Sequence, residues 1–161
     1  MIYELKNILF FLDIFNMNSK NLAQLNIARL LAPIDDPQIA DFVAKIDEIN
    51  LLAESDEGFV WRLKDDTNNA TSFHPFGDEK IIITMSVWKS VEALKDFTYK
   101  SGHAEVMKNR AKWFEKHIEA YLVLWWIPEG HIPTIEEAKE RLQYLNENGE
   151  SEHAFTFRKL Y

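Results

Sequence analysis

Residues 121–127 read Tyr-Leu-Val-Leu-Trp-Trp-Ile and have no polar face. Successive side chains of a β-strand point to opposite faces of its sheet, so this strand is apolar on both sides. Such a strand is buried on both sides. It constrains the fold more than any other segment, because something must cover each of its faces.

The rest of the chain alternates strand and helix patterns. Period-two alternation and short apolar runs predict further strands over residues 22–28, 59–63, 81–88 and 154–157. Helices are predicted after Asp36 and Pro37, after Ser90, after Thr134, and over residues 103–117. Strand, helix, strand, strand, helix, strand is the split βαβ pattern of a ferredoxin-like fold, here with an added helix and strand. The predicted class is α+β, with an antiparallel sheet and helices on one face.

The sheet face without helices is expected to carry Asn26, Thr84, Ser86 and Trp126. One layer of helices cannot cover both faces, so this face needs either solvent or a second subunit. The apolar strand at 121–127 favours a second subunit. Two such sheets facing each other form a dimeric α/β barrel with a partly polar pocket inside, and we therefore predict a homodimer.

Composition restricts the compartment and the partners. The chain has 161 residues, which predicts one domain. Its 26 acidic and 18 basic residues give a net charge of -8, which argues against nucleic acid or an anionic membrane as a partner. Cysteine is absent, so disulfides, thiolate metal sites and cysteine catalysis are excluded, and a cytoplasmic location is expected.

The first twenty residues are separate from the predicted domain, which spans residues 21–161. Their apolar run contains Glu4, Lys6 and Asp13 and is shorter than the roughly 20 residues of a membrane helix, so neither a membrane span nor an export signal is predicted. Residues 1–20 are either an amphipathic helix that docks on the domain or an extension upstream of a start at Met17. The second alternative is favoured.

The predicted helix over residues 103–117 places three titratable side chains among apolar ones. At about 100° per residue, His103, Arg110 and His117 fall on the apolar half of this helix. Polar groups are rare in such positions unless they are paired or face a cavity. These residues are therefore the most unusual feature of the sequence.

Two of them are candidates for catalysis. His103 can act as a general base or as a haem ligand, or it can be a structural histidine bonded to a backbone carbonyl. Arg110 can hold a substrate carboxylate, or it can pair with an acid such as Asp41 or Glu119. Both interpretations remain open for each residue.

Tryptophans and a further histidine extend the candidate site. Tryptophans can stack on a flat ligand, although at strand spacing they are more often core or interface residues. The predicted substrate-binding set is Asn26, Trp61, Ser86, Trp113, Trp126 and His131. No metal site is predicted, because the histidines lack H-x-x-x-H or H-E-x-x-H spacing. Glycine-rich phosphate loops and the G-x-S-x-G nucleophile motif are also absent.

Several motifs point to a known family. They include L-A-Q-L-N-I-A-R from residue 22, G-F-V-W-R-L from residue 58, S-V-W-x-S-V-E-A-L-x-x-F from residue 86 and L-W-W-I-P-E-G-H-x-P-T from residue 124. Over residues 22–157 the chain resembles the bacterial domain-of-unknown-function family DUF3291. The resemblance implies the dimeric α/β barrel superfamily, which includes antibiotic-biosynthesis-type monooxygenases, haem-degrading enzymes and a carotenoid-oxidising branch. Residues 1–20 lie outside the resemblance.

Two functions from different classes remain open. The first rests partly on the resemblance: a monooxygenase-like enzyme that acts on a small hydrophobic or aromatic molecule, without a cofactor or with haem, through His103 and Arg110. The second is a non-catalytic dimeric ligand-binding or interaction protein in which the same two residues stabilise the interface. The sequence favours neither over the other.

Overall fold

Four antiparallel strands form one sheet in the computed structural model, which describes residues 19–116 and 121–161. The strands are β1 (Lys20–Arg29), β2 (Phe59–Arg62), β3 (Ile81–Trp88) and β4 (Leu122–Pro128). Their order is β2-β3-β1-β4, so β1 and β2 run in the same direction with β3 between them. This is the split βαβ arrangement, and it confirms the predicted α+β class and antiparallel ferredoxin-like sheet.

Side-chain caps begin the two longest helices. The described helices are α1 (Ala40–Val43), α2 (Ile46–Glu54), α3 (Val91–Lys100), α4 (His103–Asn109) and α5 (Ile135–Asn148). Ser90 Oγ accepts the N–H of Ala93 at 3.1 Å, and Thr134 Oγ1 accepts that of Glu137 at 3.1 Å, which are the predicted caps. Gly149 ends α5 at a φ of 79°. None of the helices in the described ranges has the length and apolar character needed to cross a membrane.

Helices cover both faces of the sheet. The apolar side chains that α5 packs against the first face are Ala138, Leu142 and Leu145. The opposite face carries Asn26, Thr84 and Ser86, and helices α2, α3 and α4 lie over it. Here the structure differs from the expectation of helices on one face, because the added helix α5 packs on the apolar side. The polar face is therefore covered by this chain rather than by a second subunit.

Strand β4 lies at an edge of the sheet, yet both of its faces are buried within one chain. On one face Trp125 packs in the cluster that contains α5, and on the other Leu124 packs against Phe155. The N–H of Leu124 donates to the carbonyl of Phe155 at 2.8 Å, and the reverse bond is 3.0 Å long. Burial of this strand thus requires no partner, so it no longer supports a homodimer. The homodimer itself stays a prediction.

The predicted helix over residues 103–117 is shorter than expected. Helix α4 ends at Asn109 and is followed by a single 3-10 turn. The chain then pairs with the end of β1, where the N–H of Leu31 donates to the carbonyl of Trp113 at 2.9 Å. The helical spacing of about 100° per residue therefore does not describe the residues beyond that turn. His117 and Glu119 lie outside the described residues, as do residues 1–18 of the predicted N-terminal extension.

We expect Phe155→Ala to lower the free energy of unfolding by about 3–5 kcal/mol, because it empties a fully buried site beside Leu124. Leu160→Ala is the matched control, since Leu160 is 43% exposed in the same C-terminal segment. Urea unfolding followed by circular dichroism measures both variants. Equal stabilities would show that this segment does not protect β4.

Candidate functional site

A cavity of about 220 Å³ lies between the polar face of the sheet and helices α2, α3 and α4. Its helix side is largely apolar and includes Ile49, Leu94, Phe97, Val106 and Met107. An apolar cavity of about 150 Å³ is large enough to bind benzene. This cavity therefore has room for a somewhat larger ring compound.

The sheet side of the cavity is polar. Asn26 of β1 lies opposite Thr84 of β3, and Gln24 lies opposite Ser86. All four line the cavity, because residues two apart on a strand share one face. Gln24 Nε2 donates to Ser86 Oγ at 2.8 Å, and Trp88 Nε1 donates to the same oxygen at 2.8 Å. The β1–β3 pair thus supplies the polar wall of an otherwise apolar space.

His103 lies in the first turn of α4 and lines the cavity from the helix side. Its Nδ1 is 3.2 Å from the carbonyl oxygen of Thr98. A carbonyl oxygen can only accept, so Nδ1 carries the proton and the lone pair of the neutral ring lies on Nε2. Burial lowers the pKa of His103, and the hydrogen bond to Thr98 only partly opposes this effect. The ring is therefore neutral at neutral pH.

Arg110 follows α4 and also lines the cavity. Its Cζ lies 5.0 Å from the ring centroid of Tyr121, the distance of a cation–π contact. No carboxylate of the described residues, Asp41 included, lies within ion-pair distance of Arg110. Structural pairing of Arg110 with Asp41 is therefore not observed, and Glu119 lies in the segment that the structure does not describe.

The structure brings four of the predicted site residues to one cavity: Asn26, Ser86, His103 and Arg110. Strand alternation placed the first two on one face, while His103 lies in the first turn of α4 and Arg110 directly follows that helix. The structural interpretation of His103 is partly met, because its Nδ1 does bond to a backbone carbonyl. That bond leaves Nε2 available. Their catalytic and binding roles stay predictions.

The other four predicted residues lie outside the cavity. Trp61 pairs with Val87 rather than with Ser86, because an irregularity in β2 between Phe59 and Trp61 turns its side chain to the opposite face. Trp113 is 4% exposed and packs 5.8 Å from the ring of Phe42. Trp113 is therefore a core residue, and Trp61 is half-buried against the core, which is in line with the alternative interpretation.

Trp126 and His131 are held by hydrogen bonds to residues that do not line the cavity. Trp126 Nε1 donates to the carbonyl oxygen of Tyr161 at 2.8 Å, which ties β4 to the C-terminus. His131 Nε2 lies 2.8 Å from Glu137 Oε2, and Trp125 Nε1 donates to the other carboxylate oxygen at 2.8 Å. His131 thus belongs to a bonded cluster at the start of α5.

Several polar and aromatic residues of the cavity were not in the predicted substrate-binding set, among them Gln24, Trp88 and Arg62. Gln24 and Trp88 were left out of that set, although their alternation with Asn26 and Ser86 placed them on the same face. Arg62 is only 7% exposed, and its Nε bonds to Glu54 Oε1 at 2.9 Å while Nη2 donates to Asn68 at 2.9 Å. Its guanidinium is therefore neutralised within the protein.

Metal and haem chemistry find little support in the geometry. Within the described residues, no group of three or more histidine, aspartate or glutamate side chains could hold a metal ion. The Nε2 lone pair of His103 suits an axial haem ligand. However, pockets for drug-sized ligands measure roughly 300–1,000 Å³. The cavity of about 220 Å³ is smaller than that range, so we expect it not to admit a haem.

A family model described as Domain of unknown function (DUF3291) matches residues 21–161. The chain belongs to the DUF3291 family. This match confirms the resemblance indicated by the motifs, while membership of the dimeric α/β barrel superfamily stays a prediction. No curated protein matches the chain.

Solved structures show a distant likeness to this DUF3291 chain. PA3566 from Pseudomonas aeruginosa has a TM-score of 0.46 and 9% identity, over 70% of this chain and 97% of its own. NE2512, a protein of unknown function from Nitrosomonas europaea, has a TM-score of 0.47 and 14% identity, over 72% and 97%. A conserved protein of unknown function from Bacteroides thetaiotaomicron, described as a possible oxidoreductase, has a TM-score of 0.42 and 13% identity, over 68% and 97%. Likeness at this level says nothing about activity.

We expect the stability of the DUF3291 fold to depend on pH through His103. Its pKa is lowered from 6.5 by burial, so the folded state binds its proton less tightly than the unfolded state does. The stability that the neutral His103 ring contributes is fully present above pH 6.5. It is lost as the pH falls through the lower pKa of the folded state. The free energy of unfolding should therefore fall more steeply from about pH 7 to about pH 5 in wild type than in His103→Leu.

Urea unfolding at both pH values gives these slopes. His74→Leu is the matched control, because His74 is an exposed histidine of the long loop between β2 and β3. Identical slopes for wild type and both variants would contradict a half-buried, neutral His103.

We expect haemin titration to give no Soret shift that depends on His103, because the cavity of about 220 Å³ is too small for the macrocycle. Absorption spectra of wild type and His103→Leu should coincide after addition of haemin. A shifted band that disappears in His103→Leu would show that α2, α3 and α4 move apart to admit haem.

Proposed function

We propose that this protein binds a small aromatic hydroxyl compound in the cavity and oxidises it as a monooxygenase-like enzyme, with His103 as the general base. The observation that carries the proposal is the neutral His103 ring, whose Nε2 has no hydrogen-bond partner among the described residues. In a cavity with apolar walls, such an acceptor is strongly favoured to bind a donor from a ligand.

The walls and the volume restrict the ligand. Apolar and aromatic side chains form most of the helix side, which favours a flat hydrocarbon framework. The volume of about 220 Å³ favours one or two fused rings over a larger molecule. A phenolic hydroxyl on such a framework can donate to Nε2 of His103 and can lose its proton to it.

The positive charge of Arg110 also supports His103 as the general base. Proton transfer from a phenol to His103 creates a phenolate beside an imidazolium, and a nearby cation stabilises the anion. Arg110 lines the cavity and is held by its contact with the Tyr121 ring. It therefore serves as the electrostatic partner of the base.

The oxidation follows from the electron density of the phenolate, which can reduce dioxygen. A phenol and one dioxygen molecule would give a quinone and one water, so that one oxygen atom enters the substrate and the other leaves as water. The substrate supplies the electrons, and His103 holds the proton that the hydroxyl releases. Dioxygen is the co-reactant that this reaction requires.

A non-catalytic ligand-binding protein is the second candidate. The bond between His103 Nδ1 and Thr98 favours it, since a structural histidine makes the same contact. A homodimer and a cytoplasmic location are part of both proposals and rest on the sequence. In either case the ligand occupies the cavity within one chain rather than a subunit interface.

We expect wild type to bind indan-4-ol about tenfold more tightly than indane, because one net hydrogen bond is worth roughly 1 kcal/mol. The two probes share a bicyclic framework and differ only in the phenolic hydroxyl. His103→Leu should bind both probes with similar affinity, because the acceptor is lost. Isothermal titration calorimetry measures the four dissociation constants.

His74→Leu is the matched control and should retain the preference of wild type. Equal affinities of wild type for the two probes would refute His103 as the acceptor. Dioxygen uptake with a panel of one- and two-ring phenols then separates the two candidates. Uptake that is lost in His103→Leu supports the enzyme, and binding without uptake by any member supports the binding protein.

A further inference from the structure

Three side chains on the sheet side of the cavity form a hydrogen-bonded cluster that the proposed base does not use. Gln24 Nε2 and Trp88 Nε1 both donate to Ser86 Oγ, each at 2.8 Å. Gln24 is 7% exposed, Ser86 8% and Trp88 1%, so the surrounding packing fixes all three. They line the cavity from strands β1 and β3.

The two hydrogen bonds that Ser86 accepts leave it able to act only as a donor to a ligand. A hydroxyl group has one proton to donate and two lone pairs that accept. The N–H groups of Gln24 and Trp88 occupy both lone pairs, and no described residue accepts the Ser86 proton. Ser86 can therefore donate to a molecule in the cavity but cannot accept from it.

The same result follows if the amide of Gln24 is turned by 180°. Its Oε1 then accepts the proton of Ser86, and its own N–H groups are left as the donors at the cavity wall. In both orientations the cluster presents a donor that needs an acceptor. A ligand without one leaves a buried donor unmatched, which weakens binding.

We infer that the ligand carries an acceptor oxygen, such as a carbonyl oxygen, which lies against Gln24 and Ser86. This inference rests on the proposed function and narrows its substrate class. His103 accepts from a hydroxyl group on the helix side, while the Gln24–Ser86 pair donates to an oxygen on the sheet side. The substrate is therefore an aromatic compound that carries both a hydroxyl and a carbonyl group.

A comparison of indan-1-one with indane tests the donor. The two molecules have the same framework, and only the ketone offers an acceptor oxygen. Wild type should bind indan-1-one about tenfold more tightly than indane, the difference expected for one net hydrogen bond. Calorimetric titration at pH 8 gives both dissociation constants.

Gln24→Glu should abolish this preference at the same pH. The carboxylate has the shape of the amide but only accepts, so it takes the proton of Ser86 and leaves no donor for the ketone. Asn50→Asp is the matched control, because Asn50 also lines the cavity but has no bond to Ser86. It introduces the same charge and should retain the preference of wild type.

Each outcome decides between distinct possibilities. If wild type prefers indan-4-ol to indane but binds indan-1-one no better than indane, the inference is overturned and the proposed function stands. If wild type binds none of the three probes, both fail together. A preference for the ketone that persists in folded Gln24→Glu also overturns the inference. If circular dichroism shows that Gln24→Glu does not fold, the wild-type comparison decides alone.

Discussion

Over residues 22–28 and 81–88, strands β1 and β3 place only apolar side chains on one face of the sheet and mix polar side chains into the other, so each face requires a different cover. On the first face α5 packs against apolar side chains, and Leu25 and Trp125 are 2% and 0% exposed. On the second face Gln24 and Ser86 cannot lie against aliphatic groups unless they are hydrogen-bonded. They bond to each other, and the helices above them enclose a cavity instead of a continuous core.

Because one chain covers both faces of the sheet, it also protects the edge strand β4. An exposed edge strand offers unpaired N–H and C=O groups to other chains. In this protein the C-terminal segment bonds to Leu124 through Phe155 and places its ring on the face of β4 that α5 does not reach. The same segment bonds to Trp126 through Tyr161. The end of the chain thus supplies the contacts that we had assigned to a second subunit.

Local signals in the sequence were sufficient for the four strands of the sheet, for the caps at Ser90 and Thr134 and for the class of fold. The predicted strand over residues 154–157 was wrong, because this segment forms only isolated bridges. The face shared by Asn26 and Ser86 followed from strand alternation alone, and the start of α3 followed from the capping residue Ser90. Non-local contacts produced the differences. Helix α4 is short because the backbone at Trp113 bonds to Leu31, and α5 covers the first face because its apolar stripe matches that face.

Non-local contacts also explain why the sequence predicted only part of the candidate site. Trp61 leaves the expected face because of an irregularity in β2 that no local signal marks. The bond between Gln24 and Ser86 joins residues 62 positions apart, so periodicity could place both on one face but could not pair them. Gly102 shows how such placement depends on packing, because a Cβ at that position would lie 2.9 Å from Leu52 Cδ1. The absence of that atom lets the corner between α3 and α4 approach α2. His103, the next residue, lines the cavity from this corner.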